Sequence, residues 1–329
     1  MEPQPTLQQV LVTGATGFVG RALVPALVEA GHRVRATTRN VARARTQPGV
    51  EWVQCDVNVP EELARAMEGM DAVYFLVHAM GGGAHDYART ERRAAEQFRD
   101  AAARAGVRRI VYLGGVAPAS QPSEHLQSRL AVGELLRAGT VPAVELRASM
   151  IIGQGSASWQ IVRDLAMRLP AMLLPSWTAS RTCPVALEDV VVALVRALQL
   201  PLPHSAWYDL PGPDTVSAKE ILSLIAGLRG RRVPAVPVPF LSVSLSSWWL
   251  KLVTRADFGL ARELVLGLKG DLLPHDDRYW TLIDYQPRWR FEAAARKALE
   301  DEAGGAGLRG AAGKLEEAMV QWVSPKLPR

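Results

Sequence analysis

Val10-Leu11-Val12-Thr13-Gly14-Ala15-Thr16-Gly17-Phe18-Val19-Gly20 decides the fold. A short apolar strand runs into three glycines spaced G-x-x-G-x-x-G, and Arg21-Ala22-Leu23-Val24-Pro25-Ala26-Leu27-Val28 continues with helical periodicity. Strand, glycine turn and helix in that order suit a dinucleotide pyrophosphate. Glycine lets the backbone turn sharply beside the phosphates, and the free N–H groups at the helix start stabilise the anion. A second strand at residues 33–37 completes the unit, so Thr13, Gly14, Thr16, Gly17, Phe18, Val19 and Gly20 are assigned to cofactor binding.

The end of the second strand selects the dinucleotide. NAD sites place a carboxylate there for the ribose hydroxyls, whereas NADP sites place Arg nearby for the 2′-phosphate. Here the strand ends in Thr38-Arg39-Asn40, without a carboxylate. A guanidinium grips a phosphate bidentately and a carboxylate repels it, so Arg39 points to NADP(H) rather than NAD(H). Arg43 and Arg45 follow, and a solvated loop charge is the alternative reading of Arg39. Asp56, after a third strand at residues 51–55, suits the adenine amino group and equally suits a cap for a helix over 61–67.

A fourth strand, residues 72–77, is nearly all apolar, as a parallel strand covered on both faces should be. It runs into Val77-His78-Ala79-Met80 and three glycines, at the strand ends where doubly wound sheets bind ligands. Val77, His78 and Ala79 are therefore cofactor candidates, and Met80 is a substrate candidate. A long helix over 86–105 leads to a fifth strand, residues 109–114, whose last residue Gly114 also faces the expected cofactor.

Thr13-Gly14-x-x-Gly17-x-x-Gly20, Arg39, Asp56, the strand ending at His78 and Glu145-Leu146-Arg147-Ala148-Ser149-Met150-Ile151-Ile152-Gly153 together resemble an atypical short-chain dehydrogenase/reductase. More narrowly, Tyr74-Phe75-Leu76-Val77-His78-Ala79-Met80, Ile152-Gly153-x-Gly155-Ser156-Ala157-Ser158 and Pro184-Val185-Ala186-Leu187-Glu188-Asp189-Val190 are similar to NmrA-like NAD(P)-binding proteins akin to the 39 kDa subunit of complex I. The likeness spans residues 8–300. It implies a nicotinamide cofactor and a substrate pocket built from C-terminal material.

Catalytically complete members of that family carry Tyr-x-x-x-Lys on the helix after the fifth strand, and a Ser at that strand's end. Four residues apart on a helix share one face, and the Lys charge lowers the Tyr pKa for proton donation. The corresponding residues here are His125-Leu126-Gln127-Ser128-Arg129, and Gly114-Gly115 at the Ser position. Two readings stand. In one, His125 is a substitute proton donor titrating near neutrality and Arg129 holds the ribose or a developing oxyanion. In the other, both residues merely contribute polar surface at the helix start. Tyr112, inside the fifth strand, and Tyr87, early in the long helix, are weaker donor candidates.

The chain has 329 residues, 48% hydrophobic and 22% charged, which suits an α/β enzyme with disorder only at its ends. The expected fold is a Rossmann doubly wound parallel sheet of about seven strands with a smaller, mainly helical C-terminal substrate lobe. Residues 1–155 form the NADP-binding core, 156–302 the lobe with a returning strand near 206–210, and 303–329 a Gly-rich linker and short tail helix. The lobe's helices are expected over 158–169, 218–228, 241–253 and 256–268, with Met150, Trp159, Trp177 and Trp248 as apolar pocket walls around a small hydrophobic substrate. Plain core packing is the competing reading of each.

The net charge of +5 is spread over several helices, which argues against nucleic acid. Two cysteines, Cys55 and Cys183, show no metal spacing and suit a reduced cytoplasmic setting. Residues 233–253 are broken by prolines and serines, so no integral membrane span is expected. A homo-oligomer is compatible with the sequence. The functions consistent with all this are an NADPH-dependent reductase of a carbonyl, quinone-like or imine compound, or a non-catalytic NADP(H) sensor or assembly subunit.

Overall fold

The computed structural model describes residues 8–44, 46–78, 84–118, 122–168, 172–174, 176–231, 235–237 and 270–304. Its first half alternates strand and helix: β1 (Gln9–Thr13), α1 (Phe18–Glu29), β2 (Arg33–Thr38), β3 (Val50–Gln54), α2 (Pro60–Met67), β4 (Ala72–Phe75), α3 (Ala84–Arg104), β5 (Arg109–Gly115), α4 (Glu124–Arg137) and β6 (Ala143–Ala148). With a later strand, Ala206–Asp209, these form a seven-stranded sheet in the order 206–209, β6, β5, β4, β1, β2, β3. Every neighbouring pair in it is parallel. The order reverses between β1 and β4, which places the ends of those strands at the switch point where such sheets bind ligands.

Side-chain alternation along each strand sorts the core onto two faces. Leu11, Val73, Phe75, Ile110 and Tyr112 pack with Leu63, Met67, Phe98, Val132 and Leu136 of α2, α3 and α4. Tyr74 points the other way, and its buried hydroxyl donates to the Leu194 carbonyl of α6 (Leu187–Arg196). β4 and β6 are buried along their whole length, the pattern of parallel strands covered on both faces.

Two compact units divide the chain, and their segments alternate along the sequence. The first holds Met1–Ser149, Leu187–Pro211 and Leu273–Arg288; the second holds Met150–Ala186, Gly212–Leu272 and Trp289–Arg329. The expected division at residue 155 returned only a strand near 206–210 to the sheet, whereas the first unit takes in all of 187–211 and 273–288. The sheet needs a partner for the open edge of β6 and a helix for its second face, and residues 187–211 supply both. Arg109 fastens this return by donating to the Ala197 and Leu200 carbonyls. Residues 273–288 are clipped on by Tyr279, which donates to the Ala193 carbonyl, and by Tyr285, which donates to fully buried Asp189.

The second unit has its own apolar core of Ile152, Trp159, Ile221, Ile225, Phe291 and Ala295. It is built from α5 (Ala157–Arg168), α7 (Ala218–Leu228) and the helix Phe291–Gly304. Ser217 and Glu220 close a capping box at the start of α7, which sets its first residue. The helices expected over 241–253 and 256–268 lie outside the described residues, as does the linker and tail from 305 onward. No helix of the described residues is long and apolar enough to cross a membrane.

Candidate nucleotide-binding site

The turn after β1 is built around backbone contacts that side chains would block. Gly14 has φ +71°, and a Cβ there would stand 2.6 Å from the Leu76 carbonyl oxygen. A Cβ at Gly17 would stand 3.0 Å from the Gly14 carbonyl oxygen, and one at Gly20 would collide with that same carbonyl. Gly17 caps α1 in extended conformation and, having no side chain, makes no cap hydrogen bond to the amides of the first turn. A cradle that only glycine fits, ending in a helix start without a side-chain cap, suits a pyrophosphate. Thr13 serves differently from the loop: its hydroxyl donates to the Tyr74 carbonyl at 2.8 Å and ties β1 to β4. Thr16 is exposed on the turn, with Phe18 and Val19 half-buried behind it.

The arginines near β2 divide by role. Arg35 is committed to the fold, donating to Glu51 at 2.9 Å and to the carbonyls of Ala66 and Glu68. Arg39, just beyond β2, is exposed and meets no carboxylate among the described residues. Asp56 does not cap α2, whose N-cap is Val59. Its Oδ1 instead accepts from the backbone and side-chain amides of Asn58, both at 2.9 Å, closing a turn ahead of the helix.

The carboxyl ends of β4 and β5 bring His78, Arg129 and Glu91 together. Arg129 Nη2 donates to the Leu113 carbonyl at 3.0 Å and lies 3.2 Å from His78 Nε2. His78 Nδ1 is 3.8 Å from Glu91 Oε1, and the Ser128 hydroxyl donates to Glu91 Oε2 at 2.7 Å. Burial, then the Arg129 and His125 charges, hold His78 well below the ordinary histidine range. His78 is thus bound into a protein network, a role its sequence position at a strand end did not announce. Val77 is half-buried beside it, while Ala79 and Met80 lie outside the described residues.

His125 is half-buried one turn before Arg129. Burial and the Arg129 charge push it down to about 4, which corrects the expectation of a titration near neutrality. At neutral pH its ring is uncharged. The Tyr112 hydroxyl donates to the Arg129 carbonyl inside α4 at 3.1 Å. Tyr87 carries a side chain outside the described ones. At the family's Ser position, a Cβ on Gly114 would press on Glu145 Oε1 at 2.9 Å, and one on Gly115 on Leu126 at 2.7 Å.

Three histidines, His32, His78 and His125, are held below their ordinary value, chiefly by burial. A depressed histidine leaves stability intact above its unfolded pKa, and stability falls as the unfolded chain takes up protons that the folded one refuses. Urea unfolding is therefore expected to show a loss beginning near pH 6.5. For His125 the window runs down to about 4, a contribution of about 3 kcal/mol. His125→Gln should flatten the slope between those limits; an unchanged slope would refute the assignment.

The expected pocket walls fall in the second unit or outside the described residues. Trp159 is fully buried, packs among that unit's core residues and donates from Nε1 to Glu302 at 3.1 Å. Met150 is buried in the same cluster, so core packing, and not an open wall, accounts for both. Trp177 lies in the short helix Ser176–Ala179 with its side chain outside the described ones, and Trp248 lies wholly outside.

Cradle, sheet order and switch point define a Rossmann-type nucleotide-binding protein, and comparison with known proteins agrees. Residues 14–167 match the family described as NAD(P)H-binding. Residues 14–167 thus form an NAD(P)H-binding domain, and the chain has the fold of the atypical short-chain dehydrogenases/reductases, the NAD-dependent epimerase/dehydratase type. A nucleoside-diphosphate-sugar epimerase from Staphylococcus aureus superposes with TM-score 0.70 at 18% identity, covering 88% of this chain and 99% of that one. Among curated proteins, the chain is 29% identical to the ceramide reductase of Caulobacter vibrioides over 272 residues, 78% of this chain and 84% of that protein. It is also 29% identical over 276 residues to a (4-alkanoyl-5-oxo-2,5-dihydrofuran-3-yl)methyl phosphate reductase of Streptomyces griseus, 80% of this chain and 90% of that protein.

Proposed function

We propose that this protein is an NADPH-dependent reductase of a small hydrophobic carbonyl, quinone-like or imine compound. The observation that carries the cofactor choice is the end of β2, where Arg39 stands exposed without a carboxylate partner among the described residues. Arg35 is occupied by Glu51 and two carbonyls, and of the arginines that remain nearby Arg39 is the first beyond β2, ahead of Arg43, so it is the guanidinium assigned to the 2′-phosphate. The substrate class is supported by the two curated relatives, named for reduction of a lipid and of an alkanoyl-bearing compound.

Bound NADPH supplies a hydride to the electrophilic carbon. Gly14, Gly17 and Gly20 leave room for its pyrophosphate against the start of α1. Arg129, held by the Leu113 carbonyl and His78, presents fixed positive charge at the ends of β4 and β5 for the ribose or for the oxygen that gains charge. A guanidinium does not release a proton, and His125 is uncharged at neutral pH. The proton therefore comes from water that His125 positions, and the substrate is one activated enough to need no stronger acid.

Titration of the whole chain with NADPH and with NADH tests the reading. NADPH is expected to bind more tightly, and Arg39→Ala to weaken NADPH by about 10–100-fold while leaving NADH unchanged. Equal affinity for both nucleotides in the unaltered protein would overturn the assignment. A second reading, a nucleotide sensor without turnover, is favoured by the glycines at the Ser position and the depressed His125. It predicts no NADPH oxidation across a carbonyl and quinone panel.

A further inference from the structure

We propose that Glu91 is a positioning residue for Arg129, acting through His78. The argument starts from what each group can donate. A guanidinium carries only N–H donors, so in the 3.2 Å contact with Arg129 Nη2 the His78 Nε2 atom must be the acceptor. The single proton of the neutral ring then sits on Nδ1, the nitrogen that faces Glu91 Oε1 at 3.8 Å. The opposite tautomer would turn an N–H toward the guanidinium and a lone pair toward the carboxylate. Both neighbouring charges therefore favour the same tautomer.

Glu91 is itself fixed. It projects from α3, is 5% exposed, and its second oxygen accepts from the hydroxyl of Ser128 at 2.7 Å. Ser128 adjoins Arg129 on α4, so the chain Ser128, Glu91, His78, Arg129 leaves α4, crosses to α3 and the end of β4, and returns to α4 one residue on. A closed circuit of this kind restrains the guanidinium from two sides, since Arg129 Nη2 also donates to the Leu113 carbonyl. Neutralising Glu91 removes one of the two charges that order the imidazole and frees Arg129 to turn away.

The inference rests on the reading of Arg129 proposed above, and the test separates the two. Long-range proton–nitrogen spectra of the imidazoles in the full-length protein report the His78 tautomer directly. The expected result is Nδ1–H in the unaltered protein and a shift toward Nε2–H in Glu91→Gln, where the amide can donate to Nδ1. NADPH dissociation constants are then compared for Glu91→Gln, Arg129→Ala and the double variant. Glu91→Gln is expected to weaken NADPH by about tenfold, and to have no further effect once Arg129 is alanine. Ser128→Ala, which keeps the carboxylate and loosens it, should give a smaller change of the same kind and serves if Glu91→Gln does not fold. An Nε2–H tautomer in the unaltered protein, or the same weakening with and without Arg129, would overturn the proposal. If Arg129→Ala alone leaves NADPH affinity and turnover intact, the assigned role of Arg129 fails, while the tautomer still decides whether Glu91 orders His78.

Discussion

Gly14→Ala is expected to abolish measurable NADPH binding and to lower stability by about 3 kcal/mol. Two costs combine at this position. With φ +71° the backbone lies in the left-handed region, which an L side chain enters at a cost of about 1–2 kcal/mol. The new Cβ would also stand 2.6 Å from the Leu76 oxygen and 2.8 Å from its carbonyl carbon. Those are backbone atoms just beyond β4, so relief requires moving either the glycine turn or the segment leading to His78. Gly31→Ala is the matched control. It has φ +89° with nothing within 4 Å of the added Cβ, so it carries the conformational cost without the collision. Gly31→Ala should therefore lose about 1 kcal/mol and bind NADPH normally. Nucleotide titration and urea melts of the two variants decide the matter, and normal NADPH affinity in Gly14→Ala would mean that this turn does not hold the phosphates.

The second large effect lies in the core beneath the site. Glu145 on β6 is 1% exposed, and its two oxygens accept from Arg147 at 2.9 and 3.2 Å and from Arg137 at 2.8 Å. Arg147 is 6% exposed and stacks over the Trp207 ring at 4.3 Å. Gly133, in the middle of α4, exists to admit this carboxylate: a Cβ there would collide with it. Glycine inside a helix costs about 1 kcal/mol relative to alanine, which the ion cluster must offset. Glu145→Gln keeps the shape but turns an amide N–H₂ toward a buried guanidinium. Breaking a buried pair from one side costs about 3–5 kcal/mol, so thermal unfolding should move down on the order of 10 °C. Arg137→Ala, at the more exposed end of the cluster, should cost less because Arg147 keeps both carboxylate oxygens. A melting temperature unchanged by Glu145→Gln would show that the cluster contributes nothing net.

Where local chemistry is decisive, the residues alone told most of the story. The turn 13–20 was legible because a positive-φ glycine, a close approach and a helix start without a side-chain cap are requirements on single positions, met by a pattern within one stretch. The parallel strands were legible because burial on both faces demands continuous apolar runs, and α7 because its capping box marks its first turn. Strand ends were less so: β4 stops at Phe75, two residues short of expectation, where its ladder with β1 ends at Thr13 and the glycine turn begins.

What the sequence by itself determined is the glycine cradle, the doubly wound sheet and an arginine without a carboxylate after β2, since each follows from neighbouring residues. Tertiary structure decided the rest. Beyond the returning strand near 206–210, which the sequence already indicated, α6 and residues 273–288 join the first unit because an uncovered sheet face had to be satisfied by chain from elsewhere. Arg35 and Arg39 look alike in sequence, but only the fold commits one of them to Glu51. His125 titrates well below neutral pH because burial and a neighbouring guanidinium disfavour its charged form. Glu91 gains a role for the same reason: pKa and hydrogen-bond direction depend on which charges lie within a few ångströms, and residues 78, 91 and 129 meet only when three elements pack.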